Sequence, residues 1–408
     1  MELISPEEAR AIVLNEVKTL PACEVDILDS LGSVLAEDVV SDMDIPPFDN
    51  SAMDGFAVKT SDAKGASREN PVRLKIVDDQ PAGRVTDVVV TSGVAVKVMT
   101  GAPIPKGADA VIRVEDTQTS GEWVYILQEV KEGQDIRLAG EDIRKGETVI
   151  RSDTVIGPPQ IGILASLGRS RVRVVPRPSV AILCTGDELV EIDEPLPMGK
   201  IRDSNSYSTA AQVIACGARP VRLGIARDTV ESIGTKLREA LHCDVIVTTA
   251  GVSVGEHDIV KDVLEDFGAE LKFWKVAQRP GMPLAFWMFK GKPVFGLPGN
   301  PGASMICFEE YVRPAILKMR GRTKLFRPEV EAILTHDIKK KPGRMHYVRV
   351  RVERKNGEYY ATSAGPQGSG ILKTMSLANG LALIPKDAPL MKAGERVKVH
   401  LIDMPEGH

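Results

Sequence analysis

The sequence predicts a multidomain protein of α/β plus β class: an α/β domain on a parallel sheet, a β-rich insert on an extended linker, and a terminal β domain. Three observations carry this. Apolar runs at 179–184, 244–250 and 292–297 each discharge into a polar, glycine-bearing loop, the pattern of buried strands in an open α/β sheet. Between about residues 50 and 142, short alternating stretches are separated by turn residues, with no helical stripe beyond a turn or two. Tyr347-Val-Arg-Val-Arg-Val352 then alternates strictly, and Asn356-Gly357 is a strong hairpin turn.

At 408 residues the chain exceeds one ordinary core, and two to four domains are expected. A hydrophobic content of 43% is that of a globular protein. Lys plus Arg total 52 against 56 Asp plus Glu, and this near balance argues against nucleic acid as the main partner. The five cysteines are scattered without a Cys-x-x-Cys pair, which suits reduced thiols in a cytoplasmic protein better than disulfides or a zinc site. No apolar run approaches the roughly 20 residues that span a bilayer, so no membrane role is expected.

In chain order, Ser5-Pro6-Glu7-Glu8 is a helix start with a capping box, and Ala9, Ile12, Val13 and Val17 share the face behind it. Residues 25–45 read as extended with a break at Leu31-Gly32, and the proline-stiffened run 45–50 enters the insert. Insert strands are expected at 72–77, 88–90, 94–99, 110–114 and 123–127, and extended segments at 148–150 and 171–175 return from it. Helices follow at 204–216, 230–241, 258–267 and 303–319. The resulting division is 1–26 with 176–326 for the α/β domain, 27–45 with 143–175 for the linker, 46–142 for the insert and 327–408 for the last domain.

In an open parallel sheet, loops after the strands line the carboxyl edge, where such folds bind ligands. Gly186, Gly251, Gly255 and Gly299 let backbone approach a ligand closely, and helix starts nearby attract anions. A pocket for a phosphate-bearing small molecule is therefore expected. Asp187 and Glu188 after one strand, Asp258 at a helix start, and Asp54 and Asp142 in insert loops read individually as turn or cap residues. Together around a phosphate they would repel it unless a cation bridges them, and Mg²⁺ is the natural bridge. Lys275, Arg279 and Arg202 are candidate anion partners, with a solvated surface as the plain alternative. Gly251-Val-Ser253-Val-Gly255 also matches the nucleophile elbow of α/β-hydrolases, but the following helix starts near Asp258 and no downstream Asp…His pair stands out.

The ordered motifs resemble the molybdopterin molybdenumtransferase family, the MoeA-type proteins that include the gephyrin E domain. The matching runs are 47–57 (PFDNSAMDGFA), 99–103 (MTGAP), 107–111 (GADAV), 140–143 (GEDI), 185–189 (TGDEL), 251–255 with Asp258, 297–301 (LPGNP), and 368–370 with 378–380, over almost the whole chain. The resemblance implies a molybdopterin-binding α/β domain, a C-terminal β-barrel, and an elongated homodimer whose cleft lies between the α/β domain of one subunit and the insert of the other. It implies insertion of molybdate or tungstate into adenylylated molybdopterin with release of AMP, aided by Mg²⁺ held by Asp54, Asp142 and Glu188, and an adenylyltransferase as partner. By motif match Asp54, Thr100, Asp142, Glu188, Asp228 and Asp258 fall on catalytic positions. Gly186, Gly251, Ser253, Gly255, Pro298, Gly299, Asn300 and Pro301 fall on substrate-binding positions, and Lys275, Arg279, Ser304, Arg344 and Ser369 on oxyanion-contacting ones. Ala250 stands where the family usually has glycine, Gly302 where it has a β-branched residue, and Met282 where lysine is common. The alternatives are the sister adenylyltransferase, which lacks the insert and terminal barrel, a hydrolase using Ser253, and a gephyrin-like receptor scaffold, which needs further domains.

Overall fold

A computed structural model describes residues 3–250 and 259–404. They form two compact units: residues up to 24, 32–34 and from 173 onward in one, and 25–31 with 35–172 in the other.

The first unit is built on a six-stranded sheet in the order Arg219–Ala226, Ser179–Thr185, Val245–Thr249, Lys292–Leu297, Ala285–Phe289, Glu270–Trp274. The first four strands are parallel; three are the expected runs, and Arg219–Ala226 is absent from the sequence reading. The last two are antiparallel, an edge absent from the sequence reading. Its cause is a tight turn: Lys290 and Gly291 take φ of 48° and 76°, and Phe289 pairs directly with Lys292.

Strand alternation feeds two cores. Val180, Ile182, Val245, Val247, Phe286 and Phe295 pack with Ala9, Val13, Phe308 and Tyr311, while Ala181, Leu183, Ile246, Trp287 and Val294 pack with Ile233, Leu237, Val260 and Leu264. Covered on both faces, the sheet meets solvent at its ends, and the loops there become the site. The first helix, Pro6–Glu16, is set by the anticipated capping box: the Glu8 N–H donates to Ser5 Oγ and the Ser5 N–H to Glu8 Oε2. The long helix near 301–319 is interrupted by a π-helical stretch, Phe308–Val312. Pro314 follows; it has no N–H to give and its ring crowds the carbonyl one turn back, which a widened turn accommodates.

The terminal domain is a closed barrel of five strands, Glu329–Leu334, Met345–Lys355, Glu358–Ser363, Gly380–Ile384 and Arg396–Leu401. Asn356 and Gly357 make the expected turn, at φ 52° and 83°. Gln278–Arg279, from the α/β part, pairs alongside Met345 and His346 and joins barrel to sheet. Buried Glu310 adds a second joint, accepting from Arg10 at 2.7 Å and contacting His400 Nδ1 at 2.9 Å.

The second unit carries the insert, a six-stranded sheet in the order Ala110–Arg113, Gly55–Val58, Val94–Val98, Val72–Gln80, Trp123–Ile126, Thr117–Ser120. The stretch at 88–90 is not a strand; buried Val90 anchors it in a small core and donates its N–H to Lys106. A helix, Pro158–Ser166, lies between the two extended return segments and is missing from the sequence reading. Its Pro158-Pro159 start looks like a breaker, yet prolines sit well in a first turn, and Gln160 accepts the Gly157 N–H at 3.0 Å.

Candidate functional site

Three loops leave the carboxyl edge of the parallel strands. After Ser179–Thr185 the chain turns at Gly186, whose φ is +145°. A Cβ there would lie 2.5 Å from a Glu188 carboxylate oxygen, so glycine allows Glu188 to fold back over the turn. The turn is braced from outside: Asp228 accepts the Asp187 N–H at 3.4 Å, and Lys200 donates to the Asp187 carbonyl. Glu188 itself is exposed and makes no side-chain hydrogen bond among the described residues.

The second loop begins at Ala250, with φ 70°. Alanine is strained there, and its Cβ would lie 3.3 Å from one built on Gly299. Gly251, Ser253, Gly255 and Asp258 lie outside the described residues. Since left-handed alanine costs roughly 1–2 kcal/mol and glycine's freedom in the unfolded chain returns part of that, Ala250→Gly is expected to stabilise the protein by about 0.5–1 kcal/mol in denaturant titration. The third loop, Pro298 to Pro301, is held by Asn205, which donates to the Gly299 carbonyl at 2.8 Å.

Two adjoining cavities result. The larger, about 660 Å³, lies against Glu188, Arg202, Asp203, Asn205, Thr249 and Ala250. The smaller, about 440 Å³, lies between Arg279, Met282, Lys341, Arg344, His346 and Ser369, and among the described residues no carboxylate lines it. Pro283, Pro298 and Asn300 belong to both. His346 shows the field of the smaller cavity: burial, then Lys340, Arg279 and Arg344, push its pKa down to about 4, so it is neutral at physiological pH.

The structure thus brings Glu188, Pro298, Gly299, Asn300, Pro301, Arg279, Arg344 and Ser369 to one pair of cavities, with Gly186 and Asp228 shaping the Glu188 turn. Lys275 and Ser304 line neither. Lys275 stacks on the Trp274 ring at 4.8 Å, and the Ser304 hydroxyl is buried with no partner among the described residues. Asp54, Thr100 and Asp142 belong to the second unit. There Asp54 Oδ1 accepts from both the backbone and hydroxyl of Thr100 at 2.7 Å, and these bonds lower its pKa. Exposed Asp142 donates its N–H to Ile45 at 3.0 Å.

Sequence reasoning missed Lys341, His346 and, most of all, Arg349. Fully buried, Arg349 donates to the carbonyls of Gly368 at 2.9 Å and Ile371 at 2.8 Å, which sets the loop carrying Ser369. Gly302 makes room: a Cβ there would lie 2.9 Å from the Ser369 carbonyl and 3.0 Å from Arg349 Nη1.

A family architecture goes with this geometry. The chain matches the MoeA N-terminal region (domains I and II) over residues 4–168, a probable molybdopterin binding domain over 181–318, and the MoeA C-terminal region (domain IV) over 331–402. It belongs to the MoeA family. It is 36% identical over 403 residues to molybdopterin molybdenumtransferase 2 of Mycobacterium tuberculosis, covering 97% of this chain and 98% of that one. It is 35% identical over 401 residues to the molybdopterin molybdenumtransferase of Staphylococcus aureus strain COL, covering 98% and 96%. The crystal structure of the molybdopterin biosynthesis MoeA protein from Pyrococcus horikosii superposes with a TM-score of 0.83 at 31% identity, covering 99% of this chain and all of that one.

Proposed function

We propose that this chain is a molybdopterin molybdenumtransferase, inserting molybdate or tungstate into adenylylated molybdopterin and releasing AMP. The observation that carries this is the adjoining pair of cavities. A roomy one with Glu188 in its lining suits the adenylylated pterin, and one lined by the cations Arg279, Lys341 and Arg344 suits a dianionic metal oxyanion. Their common wall of Pro283, Pro298 and Asn300 would keep the dithiolene sulfurs within reach of the oxyanion, so positioning supplies much of the rate. The alternatives have less support. The matches at 4–168 and 331–402 cover the insert and barrel that a bare adenylyltransferase lacks, and relatives matched over 97–98% of this chain carry the name molybdopterin molybdenumtransferase, which does not favour a hydrolase using Ser253.

Mg²⁺ is part of this reading. Among the described residues no three His, Cys, Asp or Glu side chains form a closed metal cluster, while Mg²⁺ needs only one or two carboxylates plus substrate phosphate and water. Glu188, with Asp54 and Asp142 from the second unit, would hold it; when bound it would polarise the pyrophosphate bond that is cut. The protein acts as a homodimer in the cytoplasm, supplied by an adenylyltransferase. Exposed Leu28, Leu31, Val40, Met43 and Phe48 on the second unit support a partner subunit, and five free cysteines support a reducing compartment.

The test is incubation of purified protein with adenylylated molybdopterin and each oxyanion. AMP release together with metallated cofactor is expected, and release without metal insertion would refute the assignment. If the cleft is shared between subunits, mixing Asp54→Ala and Glu188→Ala proteins should restore activity that neither parent has, because hybrid dimers contain one intact cleft. No recovery after verified subunit exchange would exclude sharing.

A further inference from the structure

We infer that Lys341 is a third cation of the smaller cavity and a determinant of its affinity for the oxyanion; this rests on the reading of that cavity given above. Lys341 lies in the run Lys339-Lys340-Lys341-Pro342-Gly343-Arg344, which on sequence alone is a solvated basic turn. The structure gives the turn a built base. Lys340 Nζ donates to the carbonyls of Arg344 at 3.0 Å and Lys386 at 2.9 Å, and the Gly343 N–H donates to Lys386 at 2.9 Å. Pro342 fixes one backbone angle inside the turn and lines the cavity itself. The neighbouring lysine is thus spent on structure, and Lys341 is presented over the cavity.

Its surroundings point the same way. Among the described residues the lining holds Arg279, Lys341 and Arg344 with no carboxylate beside them, and none of the three has an acidic partner there. His346 is neutral and Met282 brings a thioether, so neither adds charge. Three unpaired cations around about 440 Å³ are a destabilising arrangement unless an anion completes it. Arg279 and Arg344 present planar forks to oxygen pairs, whereas the lysine ammonium is a mobile point charge suited to a tetrahedral dianion of either metal.

Isothermal titration of the full chain with sodium molybdate, without pterin, tests this. Lys341→Met should weaken binding by about 5–10-fold at low salt, and the difference should shrink below about 2-fold near 0.5 M salt, because an exposed charge is screened. Lys341→Arg should stay within about 2-fold of wild type, and Lys339→Met, outside the cavity, should change nothing. Arg279→Ala separates the two levels of the inference. If it weakens binding while Lys341→Met does not, the cavity takes the oxyanion and the role of Lys341 is refuted. Equal losses in Lys339→Met and Lys341→Met would reduce the effect to a general field and also refute it. If wild type shows no saturable binding, or Arg279→Ala leaves it unchanged, both the cavity reading and the Lys341 role fall.

Discussion

Glu188→Gln is expected to lower the rate of AMP release by about 100-fold while the melting curve stays unchanged, the size of effect seen when one preorganised electrostatic contact is removed from an active site. The substitution keeps shape and removes only the charge. The Glu188 side chain is exposed and bonded to nothing among the described residues, so folding has little to lose. Under the proposed function catalysis has much to lose, because the turn places that carboxylate in the lining of the larger cavity. Gly186 is the residue that can tolerate the fold-back, and Asp228 with Lys200 fixes the backbone of Asp187 from the other side. If Glu188 were an ordinary solvated acid, turnover by the glutamine variant would match wild type. Parallel measurement of AMP release and thermal unfolding separates these outcomes.

Gly281→Ala is expected to destabilise the chain by about 3–5 kcal/mol and to abolish oxyanion binding. Two causes add. Gly281 has φ +88°, a conformation that strains any side chain, and its new Cβ would lie 2.3 Å from Cys307 Sγ. Neither neighbour can yield easily. Cys307 is fully buried in the sheet core, and Gln278, 2.9 Å from the same Cβ, is held by Tyr311 and by the carbonyl of Pro280. Gly281 lines the smaller cavity, so the loop cannot move away without deforming it. Adding Cys307→Ala should recover the part due to the clash and leave the backbone strain. Urea titrations of both variants check this, and an unaltered midpoint for the single variant would refute the packing described.

The local rules that held were those written in contiguous residues. The Ser5 capping box, the buried parallel strands ending at Gly186 and Pro298, and the Asn356-Gly357 turn each depend on neighbours in the chain. What was hidden depends on distant segments. Tyr347–Val352 alternation puts Arg349 on the solvent side of its strand, and it is buried because the 366–371 loop and the helix at Gly302 close over it. Lys341 looked like one lysine among three, because which of them is spent on the carbonyls of Arg344 and Lys386 is set by the barrel. Helix Pro158–Ser166 was obscured by its paired prolines. Ser304 and Lys275 matched family positions by motif, yet their local packing keeps them off both cavity linings.

The central claim is that the metal oxyanion is held where the two cavities adjoin. Tungsten scatters anomalously, so crystals of the full chain soaked in tungstate locate it directly. An anomalous peak is expected inside the smaller cavity, within contact of Arg279, Arg344 and Ser369 and beside the wall formed by Pro298 and Asn300. A peak against Lys275 or Ser304, with that cavity empty in a preparation that turns over, would contradict it.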